Sequence, residues 1–403
     1  MRRVAVLAAG AFALGLDAYV MAGLLPGMAR DLGASEAAVG QSVTAFTLAY
    51  AIAAPLFAAA LGRARPRGLM VAALAVFTAG NALTAVAPGL GALIAVRAVA
   101  GAGAGLFSAL SSAAAARLVP AERRGRALAV VMGGMSAGTV LGVPLGVLLA
   151  EQADWRATMW LVTALGAAVM AGTALLLPRL EPAGAAAPAE RRAALLLDRA
   201  VAPVVGVSFL AAVASLGLYT YLAPVLADAG GVRSVVPHLW AWGLGGVAGS
   251  LVIGPLTDRF GRLRGTVGAI MAVLVLAQAL VPAAAHLHPA AAALPLLLWG
   301  AVGWALQVPQ QQRLLGIAGE RRGGVAVALN NSALYLGSAT GAALGGAALS
   351  AGVPAGVLPW AASGVAAAGL VLHLATARPR ARLRAGAGAG VREGAREGAA
   401  ETR

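Results

Sequence analysis

Twelve apolar runs, each about 18 to 25 residues long and bounded by charges or Gly/Pro clusters, divide this chain. They fall at 4–26, 40–61, 69–87, 91–115, 127–150, 156–177, 201–226, 236–256, 265–285, 290–311, 324–350 and 355–375. A helix of that length, rising about 1.5 Å per residue, crosses the ~30 Å hydrocarbon core of a bilayer. Lipid offers no hydrogen-bond partner to the backbone, so each run must satisfy its own N–H and C=O groups and fold as a helix. With 60% hydrophobic and 11% charged residues and a mean hydropathy of +0.84, the chain is no soluble globule. The expected class is an all-α, multi-pass membrane protein embedded in the lipid bilayer.

The net charge of +15 raises the question of nucleic acid, but the basic residues sit in short clusters between the apolar runs. No nucleic-acid partner is expected; the clusters speak of orientation. Every basic residue other than histidine is Arg, and alternate connections are rich in it: Arg63/Arg65/Arg67, Arg117/Arg123/Arg124/Arg126, the central linker, Arg259/Arg262/Arg264, Arg313/Arg321/Arg322 and the tail, with Arg2 and Arg3. The intervening connections hold only Arg30, Arg156 and Arg233. Because cytoplasmic loops retain arginine, this alternation expects twelve spans with both termini cytoplasmic, and an odd number of spans would scramble it. Arg2 and Arg3 ahead of an apolar stretch mimic a signal peptide, yet the run is long, carries Asp17 and lacks a small-x-small cleavage site. It reads as a retained first helix. The absence of cysteine excludes disulfides and thiolate chemistry.

The Pro/Ala-rich segment 178–200 divides the spans six and six. The expected organisation is therefore a six-helix bundle over 1–177, a cytoplasmic linker over 178–200, a second bundle over 201–375 and a disordered, Arg/Gly/Ala-rich cytoplasmic tail over 376–403. Gly134, Gly138 and Gly142 in the fifth span are mirrored by Gly337, Gly341 and Gly345 in the eleventh, the fifth of its half. Small residues at every fourth position let helices approach closely, and their recurrence at equivalent places expects related halves.

Asp17 is the expensive residue. It lies about 18 Å along the first helix from Val4, near mid-membrane, where a carboxylate costs several kcal/mol or more and marks function by default.

The segment Gly254-Pro255-Leu256-Thr257-Asp258-Arg259-Phe260-Gly261-Arg262 resembles the loop signature of the major facilitator superfamily. Its first-half counterpart, Leu61 to Arg67, keeps the basic residues but has Gly62 where an Asp is expected and Arg65 where a Gly is expected. Leu14 to Pro26 is similar to the first-helix motif of twelve-span drug/proton antiporters, Arg97 to Gly105 to their fourth-helix motif, and Gly134 to Gly146 to their fifth-helix antiporter motif. The nearest look is to exporters of the chloramphenicol-resistance and sugar-efflux type.

That resemblance implies twelve transmembrane helices in two pseudo-symmetric six-helix bundles, in a bacterial cytoplasmic membrane, working as a monomer. It implies proton-coupled export of small hydrophobic or amphipathic compounds by alternating access, with a sugar, nucleoside or other metabolite as the alternative cargo. A membrane receptor or enzyme without transport is the rival of another class. No Ser/His/Asp grouping, no catalytic residue, no metal site and no cofactor are expected, and no nucleotide-binding Gly-x4-Gly-Lys loop can form without lysine.

A carboxylate suits proton coupling because burial favours its protonated form and a nearby cation reverses that preference. Asp17 is the expected carrier, against a plain role as a helix-packing acceptor or a group reaching for the outer interface. Arg97 stays charged throughout and can tune that carboxylate, against snorkelling to the outer surface. Candidate substrate contacts near mid-membrane are Tyr50, Tyr219, Trp304, Gln307, Asn330, Asn331 and Tyr335, with Gln307 and Asn331 ranked first. Gating falls to Asp258, Arg259, Gly261 and Arg262 in the loop signature and to Gly138, Gly142 and Pro144 in the fifth helix; Pro144 and Pro309 read as kinks. Trp240 and Trp242 read as anchors at the membrane edge.

Overall fold

A computed structural model describes residues 2–61, 65–120, 123–181, 195, 197–260 and 263–376. Among them the chain is helical, with no strand. The first half comprises α1 (Arg2–Asp31), α2 (Glu36–Leu61), α3 (Pro66–Ala85), α4 (Leu90–Arg117), α5 (Arg124–Gln152) and α6 (Trp155–Leu176). The second comprises α7 (Ala202–Thr220, resuming as Leu222–Gly230), α8 (Val236–Phe260), α9 (Leu263–Leu287), α10 (Pro289–Gly319), α11 (320–350) and α12 (Leu358–Thr376). These coincide with the twelve apolar runs, and ten are long and apolar enough on their described residues to cross a membrane. Only a break at Gly319 (φ 69°, ψ 178°) separates α10 from α11. A residue without a Cβ takes that positive φ at no steric cost. The linker residues 182–194, the tail from 377, and Gly62, Gly261 and Arg262 lie outside the described residues.

Three helices break where a proline withdraws a donor. Pro144 has no N–H for the carbonyl of Val140, and α5 adjusts by a π turn over Gly138–Gly142, in which the Val143 N–H donates to the Gly138 carbonyl five residues back. Pro224 breaks α7 at Tyr221 (φ −106°, ψ 24°). At Pro309 the hydrogen-bond pattern of α10 is interrupted at Leu306 while the backbone there stays helical (φ −58°, ψ −30°). At Pro144 and Pro309 the adjustment is thus one of hydrogen bonding.

The halves repeat one packing plan. α1 lies on α5 as α7 lies on α11, α2 on α4 as α8 on α10, and α3 on α6 as α9 on α12. Between apolar helices in lipid, close van der Waals fit replaces the hydrophobic drive, so small residues mark the seams. A Cβ on Gly134 or Gly138 would stand 2.1 Å from the carbonyl oxygen of Ala8 or Phe12 on α1. In the second half a Cβ on Gly337 or Gly341 would stand 2.5 or 2.3 Å from the carbonyl of Phe209 or Val213 on α7. The two glycine stripes thus serve the same joint in each half.

Between the halves, α2 packs on α11 and α5 on α8. Gly40 and Gly346 close around Tyr221, whose hydroxyl donates to the Ala342 carbonyl at 2.8 Å. Ser234 donates to Glu151 at 2.7 Å across the same end, the one facing away from the arginine-rich loops. α8 follows the π turn and the Val143–Gln152 part of α5 but scarcely touches its Arg124–Ala137 part, where Met132 is 58% exposed. On its α5–α8 side the seam, among the described residues, is closed at one end and parts toward the arginine-rich end.

Candidate functional site

Asp17, on the face of α1 turned to α3 and α4, is fully buried. Its Oδ1 accepts from Arg97 Nη1 at 2.6 Å, and its Oδ2 accepts from Asn81 Nδ2 at 3.3 Å. Asn81 completes a triangle: its Oδ1 accepts from Arg97 Nη1 at 3.2 Å, and its Nδ2 also donates to the Phe77 carbonyl at 3.1 Å. Relative exposures of 0% for Asp17 and Asn81 and 1% for Arg97 exclude both surface alternatives, the aspartate reaching for an interface and the arginine snorkelling.

Glycines set these distances. Gly80, beside Asn81, lets α3 approach Ala100 of α4 so closely that a Cβ would lie 2.8 Å from the Ala100 Cα. Gly101 and Gly105 seat α4 on the carbonyls of Phe46 and Tyr50 of α2, at 2.2 and 2.4 Å from their notional Cβ atoms. Arg97 is thereby held with its guanidinium carbon 4.2 Å from the centroid of the Phe46 ring. Its Nε is buried without a partner. Neither charge would tolerate such burial alone: a lone buried ion costs several kcal/mol, and removing one member of such a pair costs ~3–5 kcal/mol.

The second half has a neutral counterpart on the equivalent helices. Trp299 of α10 donates to Ser215 of α7 at 2.6 Å, and Gln278 of α9 donates to the Ala214 carbonyl at 3.0 Å. The counterpart positions of the second half carry no charged side chain.

The facing surfaces of the halves are aromatic. Tyr19 of α1 meets Tyr219 of α7 at 5.7 Å between centroids and Trp242 of α8 at 6.0 Å; Tyr219 and Trp242 stand 4.3 Å apart. Trp304 meets Trp242 edge-on at 5.9 Å, and Tyr50 of α2 stacks on Tyr335 of α11 at 3.7 Å. A small cavity between the halves is lined by Tyr19, Ala22, Val43, Tyr219, Thr220 and Ser338.

Of the seven candidate substrate contacts, Tyr50, Tyr219, Trp304 and Tyr335 therefore gather at this seam. Of the amides, Asn331 is exposed and Gln307 half-buried, whereas Asn330 is fully buried with neither amide atom partnered. Trp242 is not an edge anchor; at 1% exposure it is the hub of the aromatic cluster, because its face of α8 turns to the other half. Gly138 and Gly142 pack on Phe12 and Leu16 of α1. Arg259 is exposed at the end of α8, and the side chain of Asp258 lies outside the described residues, as do Gly261 and Arg262. His373, which the sequence leaves isolated, is buried with Nε2 2.9 Å from the Arg264 carbonyl and Nδ1 3.3 Å from Arg313 Nη1. Asn81, Tyr19 and Phe46 join this arrangement without being singled out by the sequence. Asn81 is the lone amide deep in its span, the same anomaly that exposes Asp17.

The family model described as Major Facilitator Superfamily matches residues 7–342. The chain belongs to that superfamily. This transporter is 32% identical over 374 residues to the inner membrane transport protein YdhP of Escherichia coli strain K12, covering 92% of this chain and 95% of the relative. It is 35% identical over 261 residues to a chloramphenicol resistance protein of Streptomyces lividans, covering 63% of this chain and 66% of the other. The solved structure of the nucleoside transporter NupG superposes with a TM-score of 0.76 at 13% identity, over 93% of this chain and 99% of that one. That likeness is one of fold.

Proposed function

We propose that this transporter exports small hydrophobic or amphipathic compounds, antibiotics among them, in exchange for protons, with its arginine-rich face and both termini in the cytoplasm. The observation that carries the proposal is the ion pair of Asp17 and Arg97, buried within the first half behind the inter-half aromatic surface. It is the one carboxylate in the middle of any span, and it can exist in two states. Charged, it neutralises Arg97. Protonated, it leaves Arg97 to Asn81 and the Phe46 ring, so the two states favour different arrangements of the helices around them. Arg97 cannot carry the proton and serves as the fixed counter-charge.

Substrate binds between the halves on Tyr50, Tyr219, Trp304 and Tyr335, with Gln307, Asn330 and Asn331 further along the same helices. Rings of this kind bind an apolar or aromatic body, and their hydroxyl and indole groups orient its polar parts. The parting of α5 and α8 at the arginine-rich end suits a transporter waiting for cytoplasmic cargo. Rocking then turns on the Gly138, Gly142 and Pro144 segment and on the loop carrying Asp258, Arg259, Gly261 and Arg262. The whole pathway lies within one chain, which works as a monomer. The Streptomyces relative, named for chloramphenicol resistance, supports an antibiotic within the substrate range.

The test is proton efflux from acid-loaded proteoliposomes on addition of chloramphenicol and other amphipathic drugs, with sugars and nucleosides run in parallel. Drug-induced efflux that Asp17→Asn abolishes supports the proposal. Efflux induced only by sugars or nucleosides transfers the assignment to metabolite export. Full proton-coupled flux in Asp17→Asn removes the aspartate from its role.

A further inference from the structure

A continuous line of side chains leads from the buried ion pair to the contact between the halves. Arg97 lies over the Phe46 ring at 4.2 Å. Phe46 is 6.3 Å from Tyr50, centroid to centroid and tilted by 38°. Tyr50 stacks on Tyr335 of the other half at 3.7 Å. We propose that Phe46 is the positioning residue through which a change of charge at Asp17 reaches the inter-half seam, by its cation–π contact with Arg97. This rests on the proton-coupled reading above and adds the means by which the coupling travels.

With Asp17 charged, the guanidinium is shared between carboxylate and ring. When Asp17 takes a proton the ionic partner is lost, but the guanidinium remains charged and buried. Its remaining partners are the Asn81 Oδ1 and the electron-rich face of Phe46, and a cation–π contact is strongest where water is excluded. The backbones cannot absorb the change. Gly101 and Gly105 hold α4 against the carbonyls of Phe46 and Tyr50 themselves, leaving no slack between α4 and α2. The adjustment falls on the Phe46 ring, then on Tyr50, then on its stack with Tyr335. That stack bridges α2 and α11, which also meet at Gly346 against Gln41. A chain of packed groups carries coupling only if both ends bias one two-state element, and the α2–α11 seam is that element.

The charges around Asp17 are few. α2 has no charged residue after Glu36, α3 none between Arg67 and Ala85, α5 none between Arg126 and Glu151, and α6 none after Arg156. Arg97 of α4 is the charged group that faces the carboxylate; the titratable groups at the seam itself are the phenols of Tyr19, Tyr50, Tyr219, Tyr221 and Tyr335 and, at its closed end, the exposed Glu151 carboxylate that accepts from Ser234. The part of a pH response that passes through the Asp17–Arg97 pair is the part that Asp17→Asn removes and that Glu151→Gln leaves in place.

The chain has no cysteine, so a single Ser338→Cys in the inter-half cavity reports seam opening without background. Its maleimide labelling rate in proteoliposomes is measured across pH in the otherwise natural protein, in Asp17→Asn, in Phe46→Leu, in Phe46→Tyr, and with trifluorophenylalanine at 46, which keeps the shape of the ring while weakening its attraction for cations. The expected result is a labelling rate that changes ~3-fold or more with pH in the natural background and in Phe46→Tyr, and is flat in Asp17→Asn. Phe46→Leu and the fluorinated ring lose most of the response. A merely structural ring would leave the fluorinated protein responding in full, which overturns the relay while the coupling role of Asp17 stands. A flat response in the natural background overturns both.

Discussion

Gly138 of α5 lies so close to Phe12 of α1 that a Cβ on it would stand 2.1 Å from the Phe12 carbonyl oxygen. No side chain can yield there, because the obstacle is backbone. Gly138→Ala must therefore push α5 away from the helix that carries Asp17, as must Gly134→Ala against Ala8. Gly133 has open space where its Cβ would go, so Gly133→Ala is the matched control. Flux per reconstituted molecule is expected to fall ~10-fold or more in the first two and to stay near the natural rate in the third, a contrast between adjacent residues that a general intolerance of α5 to alanine would not produce.

Asp17 and Arg97 stabilise each other, so the effects of removing them are strongly non-additive. Asp17→Asn or Arg97→Gln alone leaves an unpaired or poorly paired buried charge or site and should destabilise the purified protein by ~3 kcal/mol. The double substitution removes both charges and should recover much of that loss, a coupling of ~1–3 kcal/mol. Transport behaves differently: proton-driven flux is expected to be absent in both the Asp17→Asn single and the double variant. Thermal unfolding in detergent beside flux in liposomes separates the two. Recovery of coupled flux in the double variant would count against the carboxylate as carrier.

The Tyr50–Tyr335 stack faces the proposed substrate path, and such ring pairs contribute ~0.5–1.5 kcal/mol beyond their buried area. Tyr50→Leu removes one ring from the path at little change of volume. For an aromatic substrate such as chloramphenicol this should raise KM by ~3- to 10-fold while leaving the KM of a non-aromatic amphipathic substrate near its natural value; any fall in proton-coupled maximal rate, through the lost stack on Tyr335, is shared by both. An equal rise of KM for both would place Tyr50 outside the binding surface.

The parts of this molecule that sequence makes plain are those in which one residue's cost is local. Apolar length alone located the twelve helices, since lipid forbids any other backbone solution. Asp17 stood out because a carboxylate in mid-span is costly wherever its partner lies. Partners were harder. Asn81 contacts Asp17 across 64 positions of sequence, and nothing in the composition of α3 says which way that amide turns. Trp242 shows the same limit: depth along a helix suggested a membrane-edge anchor, but its rotation about the axis places it among Tyr19, Tyr219 and Trp304. Rotation likewise puts Asn330 of α11 inside and Asn331 outside. Helical phase in a chain this rich in Ala, Gly and Val carries little contrast, so facing is decided by packing that only the folded molecule displays.

The closed end of the seam offers the sharpest test of alternating access. Tyr221 leaves the break in α7 and passes between α2 and α11, where added Cβ atoms on Gly40 and Gly346 would lie 2.3 and 2.6 Å from its hydroxyl oxygen. That hydroxyl donates to the Ala342 carbonyl of its own half, so the contact with Gly40 is the one that crosses the seam there. Ser234 donates to Glu151 across the same end, and such a bond contributes ~1 kcal/mol. Ser234→Ala loses it, so the closed arrangement should lose about fivefold in population relative to the open one. A single Val43→Cys, in the cavity just inside this end, should then react about fivefold faster with a membrane-impermeant maleimide supplied from the side opposite the arginine-rich loops. Gly40→Ala should act in the same direction and more strongly, since its Cβ occupies the place of the Tyr221 hydroxyl. The bond between Ser234 and Glu151 closes this end only if labelling in Ser234→Ala rises; an unchanged rate would leave closure to the glycine contacts alone.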